Sequence, residues 1–306
     1  MNSEVNLKVK LGSLELKNPV MSASGTFGYG LELKEFCPPE KLGAVIAKGV
    51  SLTPWSGNES PRLAETASGI LNAIGLENMG VEEFLGRALE PLKASGAVVG
   101  ANILGHSPED YGRLAARLAA SSVDFLEINV SCPNVACGGL AFGADPVMVG
   151  EVASAVRENC GSKPFMVKLT PLASDVTAVA LAAEKAGASA VSLINTIPAM
   201  AVDLKSRRPK LANVVGGLSG PAVKPVALRQ VWLCARALSI PVVGLGGICS
   251  AQDALEFILV GAAAVQVGTA TLLDPRAPAL ILEGIEDWMR AEGLTDLAQL
   301  RGTLNV

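Results

Sequence analysis

The feature that most constrains the fold of this 306-residue chain is a regular alternation of strand-like and helical segments. Eight short apolar segments have the composition of buried strands, and amphipathic stretches lie between most of them. The strand-like segments are 19–22, 44–47, 98–102, 125–128, 165–168, 190–194, 242–245 and 264–267, and the helical stretches include 108–120, 145–159, 174–186 and 252–260. Repeated βα units build a parallel sheet, so we predict an α/β fold, a (β/α)₈ TIM barrel, with a doubly wound sheet as the alternative.

Two stretches are longer than ordinary barrel loops and interrupt this repeat. Residues 51–80 follow the second predicted strand, and residues 198–220 follow the sixth. Long loops at the carboxyl ends of barrel strands commonly cover an active site, so we predict insertions after strands 2 and 6. No linker or composition break divides the chain, and we expect residues 1–306 to form a single domain. The alternating segment 1–12 is predicted to hold a short strand.

The composition excludes several classes of protein. Half of the residues are hydrophobic and 18% are charged, which is ample material for a large core. The formal net charge of −4 provides no basic surface for nucleic acid. No segment has the apolar character of a signal peptide or of a membrane span, so we expect a cytoplasmic protein with reduced thiols.

The cysteines and the single histidine limit the metal and nucleophile chemistry that is available. Of six cysteines, only Cys132 and Cys137 are close in sequence, and no third cysteine follows at the spacing of an iron–sulfur site. We therefore expect no metal site in this chain. His106 lies in a polar loop before a predicted helix, and we interpret it as a solvated loop residue rather than as part of a nucleophile pair.

Polar residues and glycines follow nearly every predicted strand. Because the carboxyl ends of barrel strands meet at one face, these residues are expected to converge on a single site. The glycines after strands 7 and 8 stand where barrels bind phosphate through backbone N–H groups. The residues just past the strands include Ser24, Lys48, Gly49, Asn102, Asn129, Cys132, Asn134, Lys168, Asn195, Thr196, Gly246, Gly247, Gly268 and Thr269.

The stretch 129–134, Asn-Val-Ser-Cys-Pro-Asn, carries the most distinctive chemistry of this set. It places the thiol of Cys132 between the carboxamides of Asn129 and Asn134. A pair of carboxamides can donate and accept hydrogen bonds together, which suits a small planar imide-like ligand, and a thiol between them could exchange a proton with it. The alternative is a strand that ends in an ordinary turn, because Asn, Ser and Pro are common turn residues.

These motifs together resemble those of the class 1 dihydroorotate dehydrogenases, and most closely the flavin-bearing catalytic subunit of the NAD-dependent 1B type. The resemblance runs from about residue 7 to residue 289. Its motifs are MSASG at 21–25, KGVS at 48–51, NAIGL at 72–76, NVSCPN at 129–134, VKL at 167–169, INT at 194–196, GGLSGP at 216–221, GG at 246–247 and VGT at 267–269. The run 217–220 with Lys224 and Pro225 favours the 1B type over the fumarate-using 1A type.

The resemblance implies a reaction in which dihydroorotate loses a proton from C5 and a hydride from C6, the hydride going to N5 of FMN. It makes Cys132 the base and puts Lys48 beside the flavin and the substrate carboxylate. The substrate-binding residues it implies are Lys48, Asn72, Ala73, Ile74, Gly75, Leu76, Asn129, Asn134, Asn195 and Thr196. The FMN-binding residues it implies are Ser24, Lys48, Gly49, Asn102, Asn129, Lys168, Ile194, Gly220, Gly246, Gly247, Gly268 and Thr269.

The resemblance also implies a partner subunit that carries FAD and a [2Fe–2S] cluster and reduces NAD⁺, in a heterotetramer built on a homodimer of this chain. Four alternatives stay open at this point. They are a flavin-dependent uracil or dihydrouracil oxidoreductase, the 1A type, a Schiff-base lyase that uses Lys168, and a non-catalytic barrel that only binds a partner. Two positions depart from the family pattern, Cys137 near the proposed base and the segment 197–200, where a glycine is more usual.

Overall fold

The computed structural model describes residues 5–130 and 143–306. Eight parallel strands form the central sheet, in the order β3-β16-β15-β10-β9-β8-β7-β4. A parallel bridge between Met21 and Ala44 joins the two outer strands of that order, so the sheet closes on itself. The closed ring confirms the predicted TIM barrel and excludes the doubly wound sheet. The eight barrel strands are β3 (Val20–Ser22), β4 (Val45–Val50), β7 (Val99–Ile103), β8 (Phe125–Asn129), β9 (Phe165–Lys168), β10 (Ala190–Leu193), β15 (Val242–Leu245) and β16 (Ala264–Val267).

Helices surround the barrel, and four of them match the predicted amphipathic stretches. These four are α3 (Pro108–Ala119), α4 (Pro146–Asn159), α5 (Val176–Lys185) and α7 (Ala251–Leu259). All four begin at a side-chain cap, from Ser107, Asp145, Asp175 and Ser250, whose oxygens accept backbone N–H groups of the first turn. The other helical segments are α1 (Gly80–Glu83), a π-helical stretch (Phe84–Leu89), α2 (Glu90–Ala94), α6 (Lys224–Ala237), α8 (Thr269–Leu273) and α9 (Ala277–Ala291).

A short hairpin precedes the barrel, and the predicted strand within 1–12 is part of it. The hairpin pairs β1 (Val9–Leu11) with β2 (Leu14–Leu16), antiparallel. Leu11 and Leu16 are each 1% exposed and belong to the main hydrophobic cluster of the molecule. The first strand is therefore held by burial of its apolar face as well as by pairing.

The insertions after barrel strands 2 and 6 are confirmed, and they form a second sheet that the sequence did not predict. This antiparallel sheet has the order β11-β14-β6-β5, with β5 (Leu63–Thr66) and β6 (Gly69–Asn72) from the first insertion. The second insertion supplies β11 (Ile197–Met200) and β14 (Val215–Ser219), with the small hairpin of β12 (Val202–Asp203) and β13 (Arg208–Pro209) between them. The segment 197–200, which departs from the family pattern, is thus strand β11. The two insertions meet at β6 and β14, where Asn72 pairs with Gly217.

Four cysteines and the single histidine lie in the part of the chain that the structure describes. The four cysteines of the described ranges, Cys37, Cys160, Cys234 and Cys249, are free thiols. Burial raises the pKa of Cys37 to about 11 and that of Cys234 to about 12, so both stay protonated near neutral pH. His106 is exposed in its loop and stacks on Trp55 at a ring distance of 4.7 Å. Across residues 5–130 and 143–306, no helix is both long and apolar enough to cross a bilayer.

Candidate active site

A cavity of about 360 Å³ opens at the carboxyl ends of the barrel strands. Its size lies within the roughly 300–1,000 Å³ that is common for cofactor and substrate sites. Its wall combines residues from all eight strand ends with residues of both insertions, including Leu63, Ile70 and Leu218. The insertion sheet therefore forms part of the wall on one side, and the barrel forms the rest.

Two lysines bring positive charge into this cavity. Lys48 lies within β4, and Lys168 is the last residue of β9 and only 6% exposed. Within 5–130 and 143–306, neither ammonium group lies within ion-pair distance of a carboxylate. A cation that is largely removed from water and has no paired anion favours an anionic ligand, so the cavity is suited to one.

A salt bridge at the rim adds one carboxylate near Lys48. Arg62 contacts Glu77 at 2.5 Å, and Glu77 lines the cavity. The hydrogen bond from Arg62, together with the charge of Lys48, lowers the pKa of Glu77 below its usual value. Glu77 thus places one negative charge near Lys48, while Lys168 is the more deeply buried cation.

Carboxamides from four segments face the same space. Asn195 Nδ2 donates to Asn129 Oδ1 at 3.3 Å, and the Thr196 backbone N–H donates to Asn195 Oδ1 at 2.8 Å. From the insertion sheet, Asn72 Nδ2 donates to the Gly217 carbonyl oxygen at 3.3 Å. Asn102 contributes the fourth carboxamide from β7 and is 1% exposed. Groups that donate and accept together, fixed on strand ends, can bind a planar polar ring along its edge.

Glycine backbones close the side of the cavity next to β15 and β16. Gly247 has φ of +80°, and a Cβ there would lie 2.9 Å from the Lys224 backbone nitrogen and 3.0 Å from the Gly220 carbonyl oxygen. The Gly246–Gly247 turn therefore packs directly on the segment that leads into α6. Glycines at these positions put no side chain between the backbone N–H groups and a ligand, as phosphate sites of barrels require.

The sequence profile of the dihydroorotate dehydrogenase family matches residues 6–289, most of the chain. This chain belongs to the dihydroorotate dehydrogenase family. Three similar relatives each carry the name dihydroorotate dehydrogenase B (NAD(+)), catalytic subunit. The protein of Geotalea daltonii is 51% identical over 302 residues, covering 98% of this chain and 99% of that protein. The protein of Trichlorobacter lovleyi is 52% identical over 299 residues (97% and 98%), and that of Alkaliphilus metalliredigens is 49% identical over 302 residues (99% and 100%).

The family resemblance drawn from the motifs is confirmed, and most of the residues it singled out lie around one cavity. The predicted residues that line it are Ser24, Lys48, Gly49, Asn72, Ile74, Gly75, Leu76, Asn102, Asn129, Lys168, Ile194, Asn195, Thr196, Gly246, Gly247, Gly268 and Thr269. Ala73 instead is buried beside Leu71 and Leu211 in a small apolar cluster under the insertion sheet. Gly220 lies one residue beyond the lining residue Ser219.

Two residues of the motif 129–134, Cys132 and Asn134, lie outside the described residues, and so does the nearby Cys137. Their roles remain predictions from the resemblance. Their neighbour Asn129 ends β8 at the cavity, and its backbone carbonyl accepts a 2.8 Å hydrogen bond from the Tyr111 hydroxyl.

The sequence interpretation missed Gln266, which lines the cavity, and Glu127, which is hydrogen-bonded to it. Both are completely buried polar residues inside barrel strands. A polar residue in the middle of an otherwise apolar strand is the signal that could have identified them, because such a residue must find hydrogen-bond partners inside the protein.

Proposed function

We propose that this chain oxidises (S)-dihydroorotate to orotate in pyrimidine biosynthesis, with FMN as its resident cofactor, as a single-domain cytoplasmic catalytic subunit. The observation that carries the proposal is the convergence of Lys48, Lys168 and four carboxamides on one cavity at the carboxyl face of a barrel of this family. The names of the relatives point to the same activity.

The chemistry of the substrate suits this set of side chains. Dihydroorotate has one carboxylate and a ring that carries alternating N–H and C=O groups. Lys48 can neutralise the carboxylate, and Asn72, Asn129 and Asn195 can match the donors and acceptors of the ring. We assign Asn134, Thr196 and the segment 74–76 to the same substrate side. A ligand without matching polar atoms would leave several of these groups unpaired, which would select against it.

The residues of the cavity also fit FMN. Two buried side-chain oxygens that line it, Asn102 Oδ1 and Gln266 Oε1, have no hydrogen-bond partner within the described chain and can accept from a ring N–H. The glycine backbones at 246–247, with Gly268 and Thr269, can accommodate a phosphate. Lys168 places a positive charge at the base of the same space. Ser24, Gly49, Ile194 and Gly220 complete the proposed FMN set.

In the proposed mechanism the two hydrogens that leave the substrate, from C5 and C6, go to different acceptors. Bound FMN supplies the acceptor for the hydride that leaves C6. The Cys132 thiolate takes the proton from C5, so that the electron pair of the C5–H bond forms the new C5–C6 double bond of orotate. The carboxamides hold the substrate ring so that both C–H bonds keep fixed directions, and Lys168 stabilises the negative charge that reduction adds nearby.

We further propose that the electrons leave this chain for a partner subunit with FAD and a [2Fe–2S] cluster, which reduces NAD⁺. The names of the relatives support the division of labour, because they specify both a catalytic subunit and NAD(+). The complex is proposed to be a heterotetramer on a homodimer of this chain. Size-exclusion chromatography of the two co-expressed chains tests it, and elution only as separate species would contradict it.

The reaction itself is tested by adding dihydroorotate to the purified protein without oxygen. We expect yellow protein whose flavin absorbance bleaches, and a rate of bleaching lowered by about a hundredfold or more in Cys132→Ser, which is the lower end of what a general base contributes. Cys137→Ser is the matched control, because it removes a thiol from the same segment without removing the proposed base.

The outcomes of this experiment separate the alternatives. Colourless protein would contradict the flavin assignment and favour a binding barrel, and bleaching by dihydrouracil alone would favour a uracil reductase. Rapid reoxidation by fumarate would favour the 1A type. Trapping of a substrate on Lys168 by borohydride would favour a Schiff-base lyase.

A further inference from the structure

A carboxylate is buried in the barrel interior, next to the cavity. Glu127 lies in the middle of β8, and its side chain is 0% exposed. It accepts hydrogen bonds from side chains on three other barrel strands. Asn102 Nδ2 of β7 donates to Oε2 at 2.7 Å, while Ser192 Oγ of β10 at 2.9 Å and Gln266 Nε2 of β16 at 2.6 Å donate to Oε1. No cation forms an ion pair with it in the described part of the chain, so these donors are what compensates its burial.

This arrangement fixes which way two carboxamides point. A carboxylate only accepts hydrogen bonds, so Asn102 and Gln266 must both turn their NH₂ groups towards Glu127. Their carbonyl oxygens, Asn102 Oδ1 and Gln266 Oε1, then point away from it. Both residues line the cavity, and both oxygens are buried without a hydrogen-bond partner in the described residues.

A missing side chain leaves one of these oxygens uncrowded. Gly49 also lines the cavity, and a Cβ at this position would lie 3.0 Å from Asn102 Oδ1 and 2.7 Å from a methyl group of Leu104. Any larger residue at position 49 would therefore crowd Asn102 Oδ1, the atom that the Glu127 network turns away from the carboxylate.

We propose that Glu127 is a positioning residue that presents Asn102 Oδ1 and Gln266 Oε1 as a pair of acceptors for a ring N–H group of the bound cofactor. The proposal rests on the proposed function, under which that group is the imide N3–H of FMN. An unpaired buried acceptor costs free energy, and a ligand that brings a donor recovers it. The pair therefore selects a heterocycle with an N–H at its edge over one that lacks it.

Glu127→Gln tests this with little change of shape. The new side chain has one NH₂ group, which faces either the NH₂ group of Asn102 or that of Gln266. Two donors cannot bond to each other, so one of these carboxamides must flip and turn its own NH₂ group towards the cavity. One acceptor of the pair then becomes a donor that opposes the ring N–H.

The measurement is the dissociation constant of the full chain, stripped of flavin, for FMN and for N3-methyl-FMN, followed by quenching of flavin fluorescence. In the wild-type protein we expect N3-methyl-FMN to bind at least about tenfold more weakly than FMN, the effect of one buried acceptor left unpaired. In Glu127→Gln we expect FMN itself to bind about tenfold more weakly. The flavin ratio, which is the dissociation constant of N3-methyl-FMN divided by that of FMN, should fall severalfold.

Substitutions at two buried glutamines distinguish the loss of a positioned acceptor from general damage to the core. Gln266→Leu removes one acceptor of the pair and should lower FMN affinity and the flavin ratio in the same way. Gln230→Leu is the control, because Gln230 is a buried glutamine of α6 whose Oε1 is also unpartnered among described atoms, and it does not line the cavity. Circular dichroism of the apoproteins reports whether each variant folds.

The outcomes distinguish this inference from the function on which it rests. A wild-type chain that binds no FMN overturns both. A wild-type chain that binds FMN and N3-methyl-FMN equally well overturns the inference alone. The inference alone is also overturned if folded Glu127→Gln keeps the wild-type flavin ratio. It is overturned as well if Gln230→Leu lowers the flavin ratio as much as Gln266→Leu does.

Discussion

At the scale of single residues, Gly247 occupies a position that no other residue type can take without a shift of the backbone. Its φ of +80° is strained for an L side chain, and its missing Cβ leaves room for two backbone atoms of the neighbouring segment. Backbone atoms cannot rotate away as a flexible side chain can. A substitution here must therefore move the turn that we assign to the FMN phosphate.

We predict that Gly247→Ala lowers FMN affinity by at least about tenfold and also lowers the melting temperature, because the new methyl group displaces the Gly246–Gly247 turn. Gly293→Ala is the matched control. Gly293 also has positive φ, +70°, but a Cβ there meets nothing within 4 Å. The Gly293→Ala substitution should lower the free energy of unfolding only by the local strain, about 1 kcal/mol, and leave FMN affinity unchanged. Fluorescence titration and thermal unfolding measure the two effects, and equal FMN affinity in both variants would contradict the assignment of the turn.

The convergence of residues at strand ends could be predicted from the sequence, whereas the hydrogen-bond partners of residues inside the strands could not. Lys168 and Asn129 stand at the carboxyl ends of recognisable strands, so their convergence follows from the barrel alone. Gln266 lies within the strand Ala264–Val267, all four residues of which are buried. A barrel strand is covered on both faces, so alternation does not tell which residues face the interior. The partners of Gln266 are thus visible only in three dimensions.

At the scale of elements, the start of α7 depends on one carboxylate. Asp253 accepts hydrogen bonds from the Cys249 and Ser250 backbone N–H groups at 2.9 Å and from Lys224 Nζ at 2.6 Å. Burial alone would raise the pKa of Asp253, but the hydrogen bond from Lys224, with those from the helix start, holds it below its ordinary value of 3.8. Asp253 completes a capping box with Ser250 at the start of α7, and its salt bridge with Lys224 joins α7 to α6.

A lowered pKa in the folded state means that Asp253 stabilises the protein above its unfolded-state pKa and that this contribution is lost as the pH falls through the folded-state pKa. We predict that Asp253→Asn lowers the free energy of unfolding by about 1–3 kcal/mol at pH 6. The difference from wild type should shrink below about pH 4. Denaturant unfolding at several pH values measures it. Asp274→Asn, which changes an exposed carboxylate paired with Arg276, should have a smaller effect. If the free energy of unfolding differs by the same amount between wild type and Asp253→Asn at all pH values, the stabilising role of the ionised Asp253 carboxylate is contradicted.

The first insertion is anchored by a carboxamide that the sequence did not mark. Asn78 is 6% exposed, and its Oδ1 accepts from the backbone N–H groups of Ser51 at 3.1 Å and Gly80 at 2.8 Å. Its Nδ2 donates to the Leu76 carbonyl oxygen at 2.9 Å. These bonds join the end of β4 to the start of α1. They also fix the segment around Leu76 and Glu77, which lines the cavity.

We predict that Asn78→Ala lowers the free energy of unfolding by about 1–3 kcal/mol, because two backbone donors lose their acceptor. The KM for dihydroorotate should rise severalfold, since the segment 74–77 becomes mobile at the proposed substrate side. Steady-state kinetics and denaturant unfolding measure the two effects. Asn159→Ala, which removes an exposed carboxamide that bonds only to the Ala155 carbonyl, should change neither. An unchanged KM in Asn78→Ala would show that the segment keeps its position without this anchor.

At the scale of the whole molecule, two insertions far apart in the chain build one wall of the cavity together. The sequence predicted that both stretches would cover the site, because both follow barrel strands at the same face. It did not predict their pairing. Leu71 and Leu218 are 147 residues apart and share a register that no local pattern specifies. Long-range pairing of this kind depends on the closed barrel, which brings the ends of β4 and β10 to the same rim.

Since β6 and β14 are partners in one sheet, opening one insertion should open the other. Gly216 provides a way to separate them. It lies in β14 without positive φ, so a β-branched residue suits its backbone, but a Cβ would lie 2.8 Å from the Asn72 carbonyl oxygen and 2.5 Å from a methyl group of Leu211. Gly216→Val should therefore push β14 away from β6 while leaving the barrel strands in place. Gly150→Val is the control, because a Cβ in that part of α4 meets nothing within 4 Å.

Amide hydrogen exchange followed by mass spectrometry measures the effect segment by segment. In Gly216→Val we expect residues 63–72 and 197–219 to exchange faster together, by about tenfold or more, while 125–129 and 165–168 keep wild-type protection. The coupled change follows because each insertion strand loses the hydrogen-bond partner that the other supplies. Dihydroorotate should restore protection to both segments, because its proposed ligands Asn72 and Thr196 lie in the first insertion and directly before the second, and a bound substrate joins them. Faster exchange in 197–219 alone would mean that the two insertions open independently and that the first insertion is held by the Asn78 anchor instead.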